Sequence, residues 1–404
     1  MPYSVSGCCK QVIGSFGKRV VLRLSIGLGG ILLFSPYAAW ALFGDSVRPY
    51  ASYSVSRDSN YFRVANADQA QALLGTTNTA ATSRNVTVGV DADLRFSRQT
   101  ILLRSNLNQT SFDRTELQTQ NGRLLSADWQ WVFGNRLNGN LSYLTSRDLQ
   151  AQTDTLSAQA STQDRNDINF TANYQVHPSF SVLIGAKKSI AEFSPTDREI
   201  LNREENTQNL GLRYTSGVGN QIGLQFQRLD GRYVNRPAPT DRYEQSEISL
   251  QGDWRLGGHT LLRAQLGNTR RSENQITQQT PSWRLAVDWT PSGKTTLNAF
   301  VARQITSSDS LTTANSSVTR TQGLSANLQL SAKTRLNASL TAETRDFSGI
   351  TRRDETQTAN LGLQYQPLRN LSVGMNYQIG RRDSNLDNTD FRYRQFTVNL
   401  RAAF

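Results

Sequence analysis

Apolar side chains recur at every second residue along almost the whole chain, in runs of about ten residues separated by polar links. The clearest run is Val86, Val88, Val90, Ala92, Leu94 and Phe96, with Thr87, Gly89, Asp91, Asp93 and Arg95 between them. Successive side chains of a β-strand point to opposite faces, so each run has one apolar face and one wet face. The pattern returns at residues 127–133 and 137–143, at 168–176 and 180–186, and again throughout the second half. The last run is Phe396, Val398, Leu400, Ala402 and Phe404. About ten residues is the length of a tilted strand that crosses a bilayer.

The links alternate in length. Short ones, such as 134–136, 217–220, 257–258, 291–294 and 367–370, are built from the Gly, Pro, Asn and Ser that tight hairpins demand. The intervening stretches, such as 148–164, 187–205, 228–242, 306–319 and 345–355, are longer and polar. With an opening strand over 48–56 and a closing one over 395–404, the count is about eighteen strands. The expected fold is therefore all-β: a transmembrane antiparallel up-and-down β-barrel with short periplasmic turns and long extracellular loops. A soluble β-solenoid would repeat every ~20–30 residues without alternating long and short links. A mean hydropathy of −0.51 argues against a helical membrane protein. It is no objection to a barrel, because only the outward residues meet lipid. Disorder would share the polar composition but not the sustained alternation.

The amino-terminal stretch reads as a secretion signal. Lys10, Lys18, Arg19 and Arg23 form a basic region without acids, residues 24–34 are apolar, and Ala39-Trp40-Ala41 is an A-x-A cleavage site. The expected division is a signal peptide at 1–41 and an outer-membrane barrel at 42–404, with 58–84 as the first outer loop. Removing those four cations lowers the formal charge of +12 to about +8. Cys8 and Cys9 would leave with the presequence, so the mature chain would carry no disulfide, thiolate nucleophile or cysteine metal site. The expected location is the bacterial outer membrane.

Catalytic chemistry is thinly represented. The two histidines, His177 and His259, both sit beside short turns, where a polar turn role is the simpler account. Hydrolytic catalysis of the lipase or protease type needs a histidine beside a nucleophile or activated water. The chain has no Gly-x-Ser-x-Gly elbow, phosphate loop or metal-ligand cluster. The expectation is a non-enzyme without cofactor, metal or nucleic-acid partner.

Alternation assigns the wet face to the lumen. It points Arg95, Arg104, Arg213, Arg255, Arg263, Arg284, Arg335 and Arg401 inward, with Asp91, Asp93, Asp128, Glu247, Asp253 and Asp288. Asn106, Asn173, Gln225, Gln265, Asn327 and Asn376 belong to an amide lining on the same face. Arginine rings favour anions, and amides offer donors and acceptors suited to sugar hydroxyls. A lumen of this width need not be packed with side chains. Outward aromatics such as Trp129, Trp131, Tyr174, Tyr214, Trp289 and Tyr365 suit a headgroup-level girdle better than a sugar slide.

One segment carries a family resemblance. Asp58, Asn60, Phe62 and Arg63 form a D-x-N-x-F-R element, followed by an Ala/Asp/Leu-rich stretch to Leu73-Leu74-Gly75. This opening resembles the EpsL-type outer-membrane proteins encoded in exopolysaccharide operons, often beside exosortase/PEP-CTERM systems. About thirty residues carry the likeness; the rest of the chain is similar only at the level of a β-barrel porin. The resemblance implies export of a surface polysaccharide, with an exopolysaccharide as cargo, and brings no catalytic or binding residues with it. The expected partners are that polymer, outer-membrane lipids, periplasmic polysaccharide-export components and the barrel-assembly machinery. The last would read Phe396, Val398, Leu400 and Phe404, a closing pattern similar to its known signal. Residues 68–74 favour a short helix ending at Gly75, in the outer loop over or in the mouth. Three functions stand open: a pore exporting an anionic exopolysaccharide, a general or anion-selective diffusion porin, and a non-conducting structural barrel.

Overall fold

A computed structural model describes residues 46–150, 159–194, 196–273, 275–308, 314 and 316–404. The signal-peptide reading, with its cysteines and cleavage site, lies outside the described residues. Among these, eighteen strands and one α-helix follow in order. The first are β1 (Val47–Asp58), α1 (Ala67–Leu74), β2 (Ala81–Phe96), β3 (Gln99–Phe112), β4 (Gln120–Phe133), β5 (Leu137–Leu149) and β6 (Thr162–His177). Then come β7 (Phe180–Ser194), β8 (Arg203–Thr215), β9 (Gln221–Tyr233), β10 (Arg242–Leu256), β11 (Thr260–Glu273) and β12 (Ile276–Ser292). The last are β13 (Thr295–Ser307), β14 (Ser316–Ser331), β15 (Thr334–Phe347), β16 (Arg353–Leu368), β17 (Leu371–Ser384) and β18 (Phe391–Ala403).

Each strand pairs antiparallel with the next in sequence, and β1 pairs with β18 to close the barrel. Closure gives every strand a partner on both sides, although the β12–β13 ladder stops at Trp283↔Arg303, so 276–282 of β12 and 304–307 of β13 pair on one side only. The seam is in register from Tyr50↔Ala403 to Asp58↔Gln395. It puts Tyr53 opposite Leu400 and Val55 opposite Val398, all on the outer face, and the Phe404 amide donates to the Pro49 carbonyl at 2.8 Å.

Period-two alternation becomes two wall faces. Val86, Val88, Leu107, Leu210, Leu324 and Leu361 are all exposed on the outer face, as a lipid-facing band requires. Near its lower edge Trp131 stacks on Phe170 with rings 6.1 Å apart and covers Gly139, where a Cβ would overlap the indole.

The strands run 12–17 residues, longer than the apolar band alone requires. Their loop-side ends carry polar and charged outward residues, such as Arg123, Arg147 and Asp164, which form ion pairs at 3.4 and 2.8 Å. The outer connections are accordingly shorter than the polar stretches in the sequence. The first spans 59–80 instead of 58–84, because the polar residues at 82–85 keep pairing with β1 up to Asp58↔Ala81. Between β11 and β12 only residues 274–275 remain.

Candidate functional site

The inner wall has a repeated construction. Tyr50 lies flat over Gly89, Tyr243 over Gly231, Phe300 over Gly323 and Tyr393 over Gly380; a Cβ at any of these glycines would overlap the ring. A guanidinium then caps each ring on its lumen side. Arg401 stands 3.7 Å from the Tyr50 centroid, Arg271 4.1 Å from Tyr243, Arg284 4.8 Å from Phe300 and Arg63 3.7 Å from Tyr393. Cation–π attraction of this kind contributes roughly 0.5–2 kcal/mol, depending on desolvation. Its larger consequence is geometric, since each arginine is held flat against the wall.

Four of the eight arginines read from the sequence lie at the end of the barrel where β1 starts and β18 finishes. Arg95, Arg213, Arg255 and Arg335 each lie within two residues of a strand end there, and among the described residues none has a carboxylate within ion-pair reach. Arg335 Nε donates to Gln329 Oε1 at 3.2 Å. The eight short connections at this end contain Arg98, Arg136, Lys294, Lys333 and Arg369 and no acidic residue. The connections at the other end carry ten acidic residues against five basic ones. The barrel is therefore electrostatically polarised, positive at the end where β1 starts and β18 finishes. In an outer-membrane barrel that end is periplasmic.

The remaining predicted arginines divide. Arg401 pairs with Asp91 at 2.8 Å, and Arg263 pairs with Asp288. Arg104 and Arg284 stand mid-wall on β3 and β12, far apart around the ring, and among the described residues neither has a carboxylate partner. Register sets Arg284 beside Gln265, whose amide donates to Glu247 at 3.0 Å. Gln225 accepts from Gln251, while Asn327 faces Asn337 across β14–β15. Asn106 and Asn376 each face a glycine, Gly89 and Gly362, and Asn173 faces Asn138. Asp93 pairs with Arg48 at 2.6 Å, so the neighbouring carboxylates Asp91 and Asp93 each serve an ion pair. His177 Nδ1 accepts the Ser179 amide at 3.2 Å, a turn-closing bond.

Near the loop end the D-x-N-x-F-R element forms a clasp. Arg63 adopts φ +54° and grips Asp58 with two bonds, at 3.0 and 2.8 Å. Asn60 donates to the Val64 and Arg392 carbonyls at 2.8 and 3.1 Å and accepts the Val64 amide at 3.2 Å. Phe62 is buried with Val64, Ala70 and Leu117, and Phe112 packs against them. Because Phe112 and Tyr393 are lumen-face residues, this first outer loop lies inside the rim. The helix α1 that follows is capped by the Asn66 side chain, which accepts the Gln69 amide at 2.9 Å, and by Gly75 at φ +67°. Helix and loop are pinned to the connection before β18, where Gln69 donates to the Asn388 carbonyl at 3.1 Å.

Two further clusters narrow the same end. The Tyr243 hydroxyl donates to Glu205 at 2.5 Å, Arg271 Nε to Glu273 at 2.9 Å, and the Ser316 hydroxyl to Glu273 at 2.5 Å. Asp354, fully buried, accepts from Arg352 at 3.0 and 2.7 Å and from Ser384 at 2.7 Å, with an Arg382 nitrogen 3.8 Å away. Sequence reading missed these residues. One signal was available: Tyr233, Tyr243, Phe347 and Phe391 are aromatics on the wet phase of their strands, where a plain aqueous lining would not place them.

Residues 275–404 match the family model described as "Putative beta-barrel porin 2". No curated protein sequence matches the chain. Among solved structures, OccK2 (OpdF) of Pseudomonas aeruginosa is similar at 10% identity and TM-score 0.49, covering 90% of this chain and 99% of that one. A BenF-like porin from Pseudomonas fluorescens Pf-5 gives 11% identity and TM-score 0.48, covering 90% and 100%. OpdK of Pseudomonas aeruginosa, crystallised with vanillate, gives 11% and 0.47, covering 90% and 100%. The chain folds as a closed antiparallel β-barrel of eighteen strands, and its last third matches a β-barrel porin family model.

Proposed function

We propose that the barrel is a diffusion pore selective for anionic solutes. The observation that carries this is the cationic periplasmic mouth. Arg95, Arg213, Arg255 and Arg335 face the lumen without carboxylate partners among the described residues, and the turns beside them hold only basic charges. Unpaired charges of one sign at a low-dielectric mouth raise the local concentration of counter-ions. The amide wall above offers donors and acceptors without net charge, which suits passage better than tight capture. In liposome-swelling assays, an acidic disaccharide is expected to enter faster than an uncharged one of equal size. Equal rates, or faster entry of the uncharged sugar, would remove the selectivity claim.

A second reading names the cargo as an acidic exopolysaccharide leaving the cell. It draws support from the position of the cationic mouth on the side an outgoing polymer meets first, and from the resemblance carried by Asp58, Asn60, Phe62 and Arg63. In oriented bilayers an acidic polysaccharide should then block current at lower concentration from the turn side than from the loop side. Symmetric block would leave only the diffusion pore.

A further inference from the structure

The outer wall across β12–β18 is concave, with a groove of about 910 Å³ open to the membrane. One hydrogen-bond row across it runs Val287, Ala299, Leu324, Leu340, Ala359 and Ile379, and ends on Arg394. The row on its loop side starts at Leu285 and Val301, passes Gln322 and Gln357, and ends on Arg381 and Arg392. Barrel strands tilt by roughly 35–45°, so rows perpendicular to them climb through the membrane. Val287 lies deep in β12, eleven positions from its loop end, whereas Arg394 lies three from the loop end of β18. The groove is thus apolar in the hydrocarbon and cationic at the outer headgroup level. Small outward residues such as Ala299 and Ala359 make it concave. On the inner side Phe300 and Tyr393 lie flat over Gly323 and Gly380, so the bulk of that wall is displaced towards the lumen.

The cationic end is not neutralised by the protein. Arg381 and Arg392 are exposed and face each other directly across β17–β18, an arrangement that costs energy between like charges. Arg381 pairs with Asp383 at 3.6 Å, both about half exposed, a geometry of small value. Among the described residues, Arg392 and Arg394 have no carboxylate partner.

We propose that this groove binds a phosphorylated glycolipid of the outer leaflet, with acyl chains along the apolar rows and a phosphate on Arg381, Arg392 and Arg394. Arginine forks match phosphate oxygens in pairs, and an anion between opposed guanidiniums turns repulsion into attraction. The site lies on the opposite side of the wall from the lumen and is independent of what the pore transports.

The test uses the folded barrel in detergent, with lipid A and phosphatidylglycerol added separately and bound lipid read by native mass spectrometry. Heat-modifiable gel migration confirms folding of each variant. Wild type should retain lipid A in preference to phosphatidylglycerol. The triple variant Arg381→Gln/Arg392→Gln/Arg394→Gln and the groove-filling Ala299→Trp/Ala359→Trp should each bind it about tenfold or more weakly. Arg123→Gln/Arg147→Gln, outward but already paired with Asp164, should bind like wild type. Undiminished binding by the triple or the groove-filled variant would overturn the proposal. So would equal retention of phosphatidylglycerol, or a dimer that the groove-filling variant dissolves, which would make a second copy the occupant.

Discussion

Ser307 Oγ donates to Glu205 Oε1 at 3.1 Å, although the two residues end β13 and begin β8, with four strands between them around the wall. The β12–β13 ladder stops at Trp283↔Arg303, so the end of β13 parts from β12 and Ser307 reaches the lumen-phase Glu205, which marks a constriction at the loop end. Tyr243 and Arg271 complete it, with Tyr243 donating to the same carboxylate oxygen and Arg271 stacked on the Tyr243 ring.

Cutting that bond should open the pore. Glu205→Ala/Ser307→Ala removes both partners of the bond, and it also takes the acceptor from the Tyr243 hydroxyl and the carboxylate 3.6 Å from Arg203. Single-channel conductance should rise above wild type, and the loss of a lumen carboxylate should shift permeability further towards anions. An unchanged conductance would place the narrowest point elsewhere.

Asp354 is the linchpin of the second cluster. Replacing it with Ala would take from Arg352 and Arg382, both buried near Phe347 and Phe391, the carboxylate they share. Breaking a buried pair from one side costs about 3–5 kcal/mol. Urea unfolding of the refolded barrel should show a loss of that order, whereas Arg353→Ala, an exposed outward neighbour, should cost less than about 1 kcal/mol.

Arg63 should hold the first outer loop in place. Arg63→Ala removes a paired, stacked and almost buried guanidinium, while Arg63→Lys keeps the charge but loses the fork and the flat contact with Tyr393. Both should speed proteolysis within 59–80, the alanine variant more, with the barrel itself intact. Equal protection in all three proteins would contradict the clasp.

The packing around the first outer loop should also have a pH window. Burial pushes the Asp113 carboxyl up, but the Thr82 amide and hydroxyl and the nearby Arg57 outweigh it, so Asp113 sits below the ordinary carboxylate range. Glu116 is lowered too, by its own backbone amide and by Arg114, which also donates to the Asn78 carbonyl in the first loop at 2.7 Å. Lowered carboxyls stabilise the folded loop above their ordinary values and lose that effect as pH falls through the lowered ones. Tyr61 has the opposite sign. Burial raises its phenol from 10.0 to about 12, so its contribution is intact below 10 and disappears as pH climbs to about 12. Hydrogen exchange in 59–80, corrected for intrinsic rates, should stay protected between these limits and rise beyond both. A protection that first fails near neutrality would contradict this assignment.

The barrel was legible because its lipid-facing residues obey a rule with one variable, and runs such as 86–96 display that rule without interruption. Strand ends were less legible. Residues 82–85 are polar on both faces, and only their ladder with β1 shows that they are strand. The lumen was legible in part. Alternation can orient Arg213 or Arg335, but it cannot tell an unpaired arginine from one neutralised by register, as Arg401 is by Asp91. The loop-end constriction was hidden because it joins strands far apart in sequence. The lipid-facing arginines 381, 392 and 394 lie in polar stretches that read simply as loop.

The most direct test of the central claim is the reversal potential of the purified barrel in a planar bilayer under a potassium chloride gradient. Wild type should prefer chloride, and the preference should nearly vanish when Arg95, Arg213, Arg255 and Arg335 are all changed to glutamine. A cation-selective wild type, or a quadruple variant as anion-selective as wild type, would contradict it.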